Sequence, residues 1–123
     1  MARPRKSKKQ KPHVRILFGS VYPLGPGKAL LIEAVGRTGS ISAAARELGM
    51  SYRRAWQLIS ATNKSFRCPL VKTTTGGYGG GGAIVTAFGE EVLDRFRDIE
   101  AKAISSVERD MKKFVEYLAD ELN

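Results

Sequence analysis

The stretch SISAAARELGMSYRRAWQLISATN, residues 40–63, constrains the fold more than any other part of the chain. Ser40 or Ser42 can cap a first helix, whose alanines and Leu48 form a face that another helix can approach closely. Gly49 stands where a helix-ending left-handed residue belongs, and Ser51, two residues on, can cap a second helix. On that second helix Ala55, Ile59 and Thr62 fall at spacings of four and three, an inward stripe that leaves Tyr52, Arg53, Arg54 and Gln57 facing elsewhere. Two capped helices crossing at so tight a break make a helix-turn-helix.

The flanks complete a small domain. VRILF, Val14 to Phe18, has the composition of a short strand, and GSVYPLGPG after it is turn-rich. A buried helix starts around Lys28 with KALLIEAV and closes at GRTG. PLVKTTT and GAIVT lie on either side of a glycine run and read as a hairpin. From Ala87 to Leu122 there is no proline, and Phe88, Val92, Phe96, Ile99, Ala103, Val107, Met111, Phe114, Leu118 and Leu122 recur at spacings of three and four. An unbroken helix of about 35 residues would span about 50 Å, more than the small domain can cover, so part of the stripe needs another partner. Glu91 with Arg95, Asp98 with Lys102 and Glu108 with Lys112 suit its wet side. The expected fold is therefore mainly α (α+β): a winged helix-turn-helix with a short β-hairpin wing. The expected organisation is a disordered basic arm at 1–13, a DNA-binding domain at 14–86 and a long dimerisation helix at 87–123.

Charge separates the regions. Residues 1–15 hold seven basic groups and no acid, residues 16–89 hold eight basic against two acidic, and residues 90–123 hold six against ten. The first two thirds thus face a polyanion and the last third does not. Cys68 is the only cysteine, which excludes an intramolecular disulfide, fits a reducing cytosol and makes Cys68 a packing residue beside Pro69. No segment has the apolar length of a signal peptide or a membrane span, so a cytoplasmic protein with no membrane partner is expected.

Six glycines occur in TTTGGYGGGGAIVT, residues 73–86. A nucleotide-binding loop needs a lysine and a serine or threonine at a helix start after its glycines, whereas AIVT follows Gly82 here and reads as a strand. The single histidine, His13, lies in the charged arm, leaving no base for a nucleophile and, with one cysteine, no zinc constellation. An enzyme, a metal site and a cofactor are therefore not expected. Double-stranded DNA is the expected partner, because arginine can bond guanine and glutamine adenine through paired contacts in the major groove. Arg53, Arg54 and Gln57 carry that chemistry at the start of the second helix. Tyr52 can reach a phosphate or sugar, Trp56 reads as core ahead of a contact at the DNA rim, and Lys64, Arg67 and Lys72 suit phosphates. Gly77, Gly79 and Gly80 leave the wing tip slim enough to approach DNA, with Tyr78 as an anchor. A sequence-nonspecific architectural DNA-binding protein is the alternative, while an RNA-binding module would want an exposed aromatic sheet face.

GSISAAARELGMSYRRAW and TTTGGYGGGGAIVTAFGEEVL resemble the amino-terminal DNA-binding domain of the ModE family of molybdate-responsive regulators, which is related to the LysR-type winged helix. Over roughly Lys28 to Glu100 the resemblance implies a homodimer held by the long carboxy-terminal helix, through Phe96, Ile99, Ala103, Val107, Met111, Phe114 and Leu118. Each protomer would place a helix in a major groove of a palindromic operator that regulates transcription linked to molybdenum. By position it implies Ser51, Tyr52, Arg53, Arg54 and Gln57 as reading residues, Ser40 and Ser42 near phosphates, and Gly77, Tyr78, Gly79 and Gly80 in the wing. Full-length members carry molybdate-binding domains beyond that helix; the sequence ends at Asn123 without counterparts of their oxyanion-binding residues, so molybdate binding is not expected of it.

Overall fold

The computed structural model describes residues 12–77 and 80–122. Two short strands, β1 (Ile16–Phe18) and β2 (Val21–Leu24), lead into helix α1 (Pro26–Thr38), followed by α2 (Ile41–Leu48), α3 (Tyr52–Ser65), strands β3 (Val71–Gly77) and β4 (Gly80–Val85), and the long α4 (Ala87–Val115). A single 3₁₀ turn, Asp120–Leu122, lies beyond it.

Helix α1 is the centre of the domain. Pro26 fits its first turn, where a missing N–H costs nothing, so the helix begins two residues before Lys28. It buries Ala29, Leu31, Ile32, Ala34 and Val35, and contacts α2, α3 and β4. Ile41, Ala44 and Ala45 of α2, Ala55 and Ile59 of α3, and Leu70, Val71 and Ala83 of the wing strands close the core around it. Small side chains at Ala44, Ala45 and Ala55 bring the backbones close, as the alanine pattern implies.

The wing is an antiparallel hairpin in which Val71 faces Val85, Thr73 faces Ala83 and Thr74 faces Gly82, with a register irregularity before Gly77 meets Gly80. Its strands run further toward the tip than PLVKTTT and GAIVT indicated. One mooring of the hairpin to the helices is a backbone hydrogen bond, from the Ala83 N–H to the Gly39 carbonyl at 2.9 Å. Gly82 serves that mooring: a Cβ there would lie 2.9 Å from the Gly39 oxygen. One glycine of the run is therefore required by packing.

Three expectations change. GSVYPLGPG holds a strand as well as a turn, because Gly19 at φ 63° reverses the chain and lets β2 pair with β1. The helical stripe does not continue to Leu122; α4 stops at Val115, where 3₁₀-type bonds from the Glu116, Tyr117 and Leu118 N–H groups tighten the end. Lys112 and Lys113 suit a helix C-terminus, whereas a helix continued to Leu122 would set Asp120 and Glu121 against its partial negative end. At 29 residues α4 is about 43 Å long. Among the three expected charge pairs only Asp98 with Lys102 forms among the described residues, at 3.0 Å.

The angle at which α4 leaves the domain is set by Leu93 and Phe96, which enter the core, and by Arg97. Arg97 donates to both carboxylate oxygens of Glu33 on α1, at 3.0 and 2.7 Å, and to Glu100 at 2.8 Å. The hydrogen bonds to Glu33 hold the guanidinium well above its ordinary range. Phe96, expected in a dimer contact, is 1% exposed inside its own protomer and is not available to a second copy.

Candidate nucleic-acid interface

The turn between α2 and α3 forms as its residue types require. The Ser40 Oγ accepts from the Ala43 N–H at 3.0 Å, and Ser40, rather than Ser42, is the cap of α2. Gly49 closes α2 at φ 72°, a left-handed conformation that a side chain would strain, and its N–H and that of Met50 return to α2 carbonyls. Two residues later the Ser51 Oγ accepts from the Arg54 N–H at 3.1 Å and starts α3. Because Ala55, Ile59 and Thr62 turn inward, as their spacing indicates, Tyr52, Arg53, Arg54 and Gln57 are left in solvent at the start of α3.

Electrostatics single out the same face. The two acidic side chains between residues 16 and 89 are Glu33 and Glu47, and both are engaged away from α3. Glu33 holds Arg97, and Glu47 on α2 pairs with Arg37 on α1 at 2.7 Å, which holds the Glu47 carboxyl below its ordinary value. Arg53, Arg54, Lys64 and Lys72 are exposed, and none forms an ion pair among the described residues. Arg67 is exposed too, but its guanidinium lies 5.3 Å from the centre of the Phe88 ring, near the root of α4. Unneutralised exposed cations are the kind of surface that suits a polyanion.

The wing stands next to this helix because of a residue the sequence reading passed over. The Asn63 carboxamide oxygen accepts from the Leu70 and Val71 N–H groups at 2.8 and 3.2 Å, and its amide nitrogen donates to the Val71 carbonyl at 3.0 Å. One side chain thus fixes the start of β3 to the last turn of α3. Only its position after the inward stripe hints at it. Ser40, Ser42, Tyr52, Thr73, Thr74 and Gly82 line a cleft of ≈ 250 Å³ between the first helix of the motif and the wing. Ser42 is exposed and Ser40 half-buried there. Gly77 and Gly80 face each other near the wing tip; Tyr78 and Gly79 lie outside the described residues.

Two sequence expectations fail at this surface. Trp56, read as core, is 48% exposed, because the alanines and aliphatic residues already fill the space beneath α3. Cys68 is exposed in the loop before β3 instead of packed beside Pro69, which is itself exposed.

A regulatory family model described as bacterial regulatory helix-turn-helix protein, lysR family, matches residues 29–90, from α1 into the first turn of α4. The chain belongs to this family. It is 44% identical over 91 residues to the molybdenum-pterin-binding protein MopB of Rhodobacter capsulatus, covering 72% of this chain and 34% of that protein. It is 35% identical over 88 residues to the DNA-binding transcriptional dual regulator ModE of Escherichia coli, covering 69% of this chain and 34% of that one. A molybdenum transport protein ModE of Herbaspirillum seropedicae is 35% identical over 79 residues, 64% of this chain and 29% of the relative. The chain spans about a third of the length of these curated relatives. Within the LysR family it therefore carries a ModE-type DNA-binding part. No helix among its described residues is long and apolar enough to cross a membrane.

A second surface lies at the root of α4. Ile16, Phe18, Leu24, Phe66, Phe88 and Val92 are among the residues lining an apolar groove of ≈ 540 Å³, which Ile99 closes at its far end. The stripe continues past it on α4 with Val107, Met111 and Phe114, all exposed, while Ala103 and Leu118 are half-buried. Phe18 is 71% exposed and Phe114 58%.

Proposed function

We propose that this chain is a transcriptional regulator that binds operator DNA as a homodimer, with α3 in the major groove, and that the genes it controls concern molybdenum metabolism. The observation that carries the reading is the capped helix-turn-helix whose second helix presents Arg53, Arg54 and Gln57 on a face cleared of acidic groups. In this reading Arg53, Arg54 and Gln57 meet base edges, Tyr52, Ser42 and Ser51 lie against the sugar-phosphate backbone, and Lys64 and Lys72 neutralise phosphates on either side. Ser40 contributes through the N-terminus of α2 that it caps, since its hydroxyl oxygen is already bonded there. The wing, with Gly77, Tyr78, Gly79 and Gly80 at its tip, reaches the neighbouring backbone. The link to molybdenum rests on the names of the ModE and Mop relatives and is extended here to the regulated genes, not to ligand binding by these residues.

The apolar surface supports the dimeric reading. Ile99, Val107, Met111 and Phe114 are exposed along a helix whose distal half has no domain under it, and a second copy related by a two-fold axis would cover them together with the groove at its root. Two such copies present two α3 helices, which a palindromic operator matches.

Selection of duplexes from a random pool, followed by titration of the best one, tests the reading. Arg53→Ala or Arg54→Ala is expected to weaken the selected duplex by about 1–3 kcal/mol with little change on random DNA. Equal losses on both would favour a sequence-independent architectural role.

A further inference from the structure

We propose that Trp56, the single tryptophan of the chain, is a sequence-reading residue whose indole packs on the C5-methyl group of a thymine at the wing-side edge of the major groove. This rests on the DNA-binding reading above. A tryptophan left 48% exposed on a helix that already buries Ala55, Ile59 and Thr62 is not there to complete the core. Neither of the two aromatic pairs among the described residues includes its ring, and no cation lies over it there.

The position of Trp56 on α3 says what can meet it. Tyr52 is one turn before it on the same side of the helix, is 53% exposed, and lines the cleft shared with Thr73, Thr74 and Gly82 of the wing. Asn63, about two turns after it, holds the start of β3. Trp56 therefore occupies the flank of α3 that faces the wing, next to Arg53 and Gln57 on the outermost side. A duplex docked on Arg53 and Gln57 brings the rim of its major groove against that flank. The base edges there carry hydrogen-bond donors and acceptors and one apolar group, the thymine methyl. An indole face matches the methyl and gains little from the polar edges.

The test uses the full chain and the best duplex selected from a random pool, with each thymine replaced in turn by deoxyuridine, which removes only the methyl group. Wild-type protein is expected to lose about fourfold in affinity at one thymine of each half-site, the value of one buried methyl group. Trp56→Ala should bind the parent duplex more weakly and show no further loss at that thymine, whereas Arg53→Ala should keep the methyl effect. Emission from Trp56 should also change when the selected duplex is added. A uracil scan that is flat with wild-type protein, or a methyl effect that persists in Trp56→Ala, overturns the proposal. If the scan is flat while Arg53→Ala still weakens only the selected duplex, DNA reading stands and Trp56 has no part in it. If no duplex is selected over random sequence, both fall.

Discussion

The helix-turn-helix body and the distal half of α4 leave different things unsatisfied. In the body, most apolar side chains are buried around α1 and the two acids are tied to arginines, so that α3 keeps uncompensated positive charge, with Tyr52 and Trp56 exposed beside it. On α4 from Asp98 onward the charges are mixed, with Asp98 and Lys102 paired, and what remains uncovered is apolar: Val107, Met111 and Phe114. An uncompensated charge calls for a polyanion, whereas an uncovered apolar stripe calls for another protein surface. The two regions thus differ in the kind of imbalance each keeps.

The largest expected effect breaks the body itself. Leu31 is fully buried in α1, and Leu31→Ala should lower stability by about 2–5 kcal/mol in chemical denaturation, with DNA affinity lost at temperatures where the body melts. The double variant Met111→Asp, Phe114→Asp should do the reverse, leaving the thermal transition of the body nearly in place while sedimentation shows monomers at concentrations where the wild type is dimeric. A wild-type protein that sediments as a monomer at high concentration would remove the comparison altogether.

Finer changes separate the two motif helices from the wing. Asn63→Ala removes the acceptor for two backbone N–H groups at the start of β3 and should cost about 1–3 kcal/mol, with faster hydrogen exchange in β3 than in α2. Uniform exchange across both would show that Asn63 does not hold the wing. Ser51→Ala strips the cap of α3 and should cost about 1 kcal/mol. The smallest effect is on pH. The Glu47 carboxyl is held below its ordinary value by Arg37, so the stability it contributes is present above its unfolded pKa of about 4.3 and disappears as pH falls through the lower folded value. Both groups are largely exposed, so the slope of melting temperature against pH should differ only slightly in Glu47→Gln, and only in the acidic range.

Local chemistry made much of this protein legible from its residues alone. Ser40, Gly49 and Ser51 announced the two helices and their break because caps and left-handed glycines act within a few residues of themselves. The inward stripe Ala55, Ile59 and Thr62 was readable because helical period is a property of the chain. What only the tertiary structure decided depended on distances between segments far apart in sequence: that Trp56 stays in water, that Phe96 fills its own core, that Asn63 ties the wing to α3, and that Gly82 is small because Gly39 lies against it. A side chain is buried or exposed by whatever arrives to cover it, and that is settled when α1 gathers the other elements around itself, after every local rule has been obeyed.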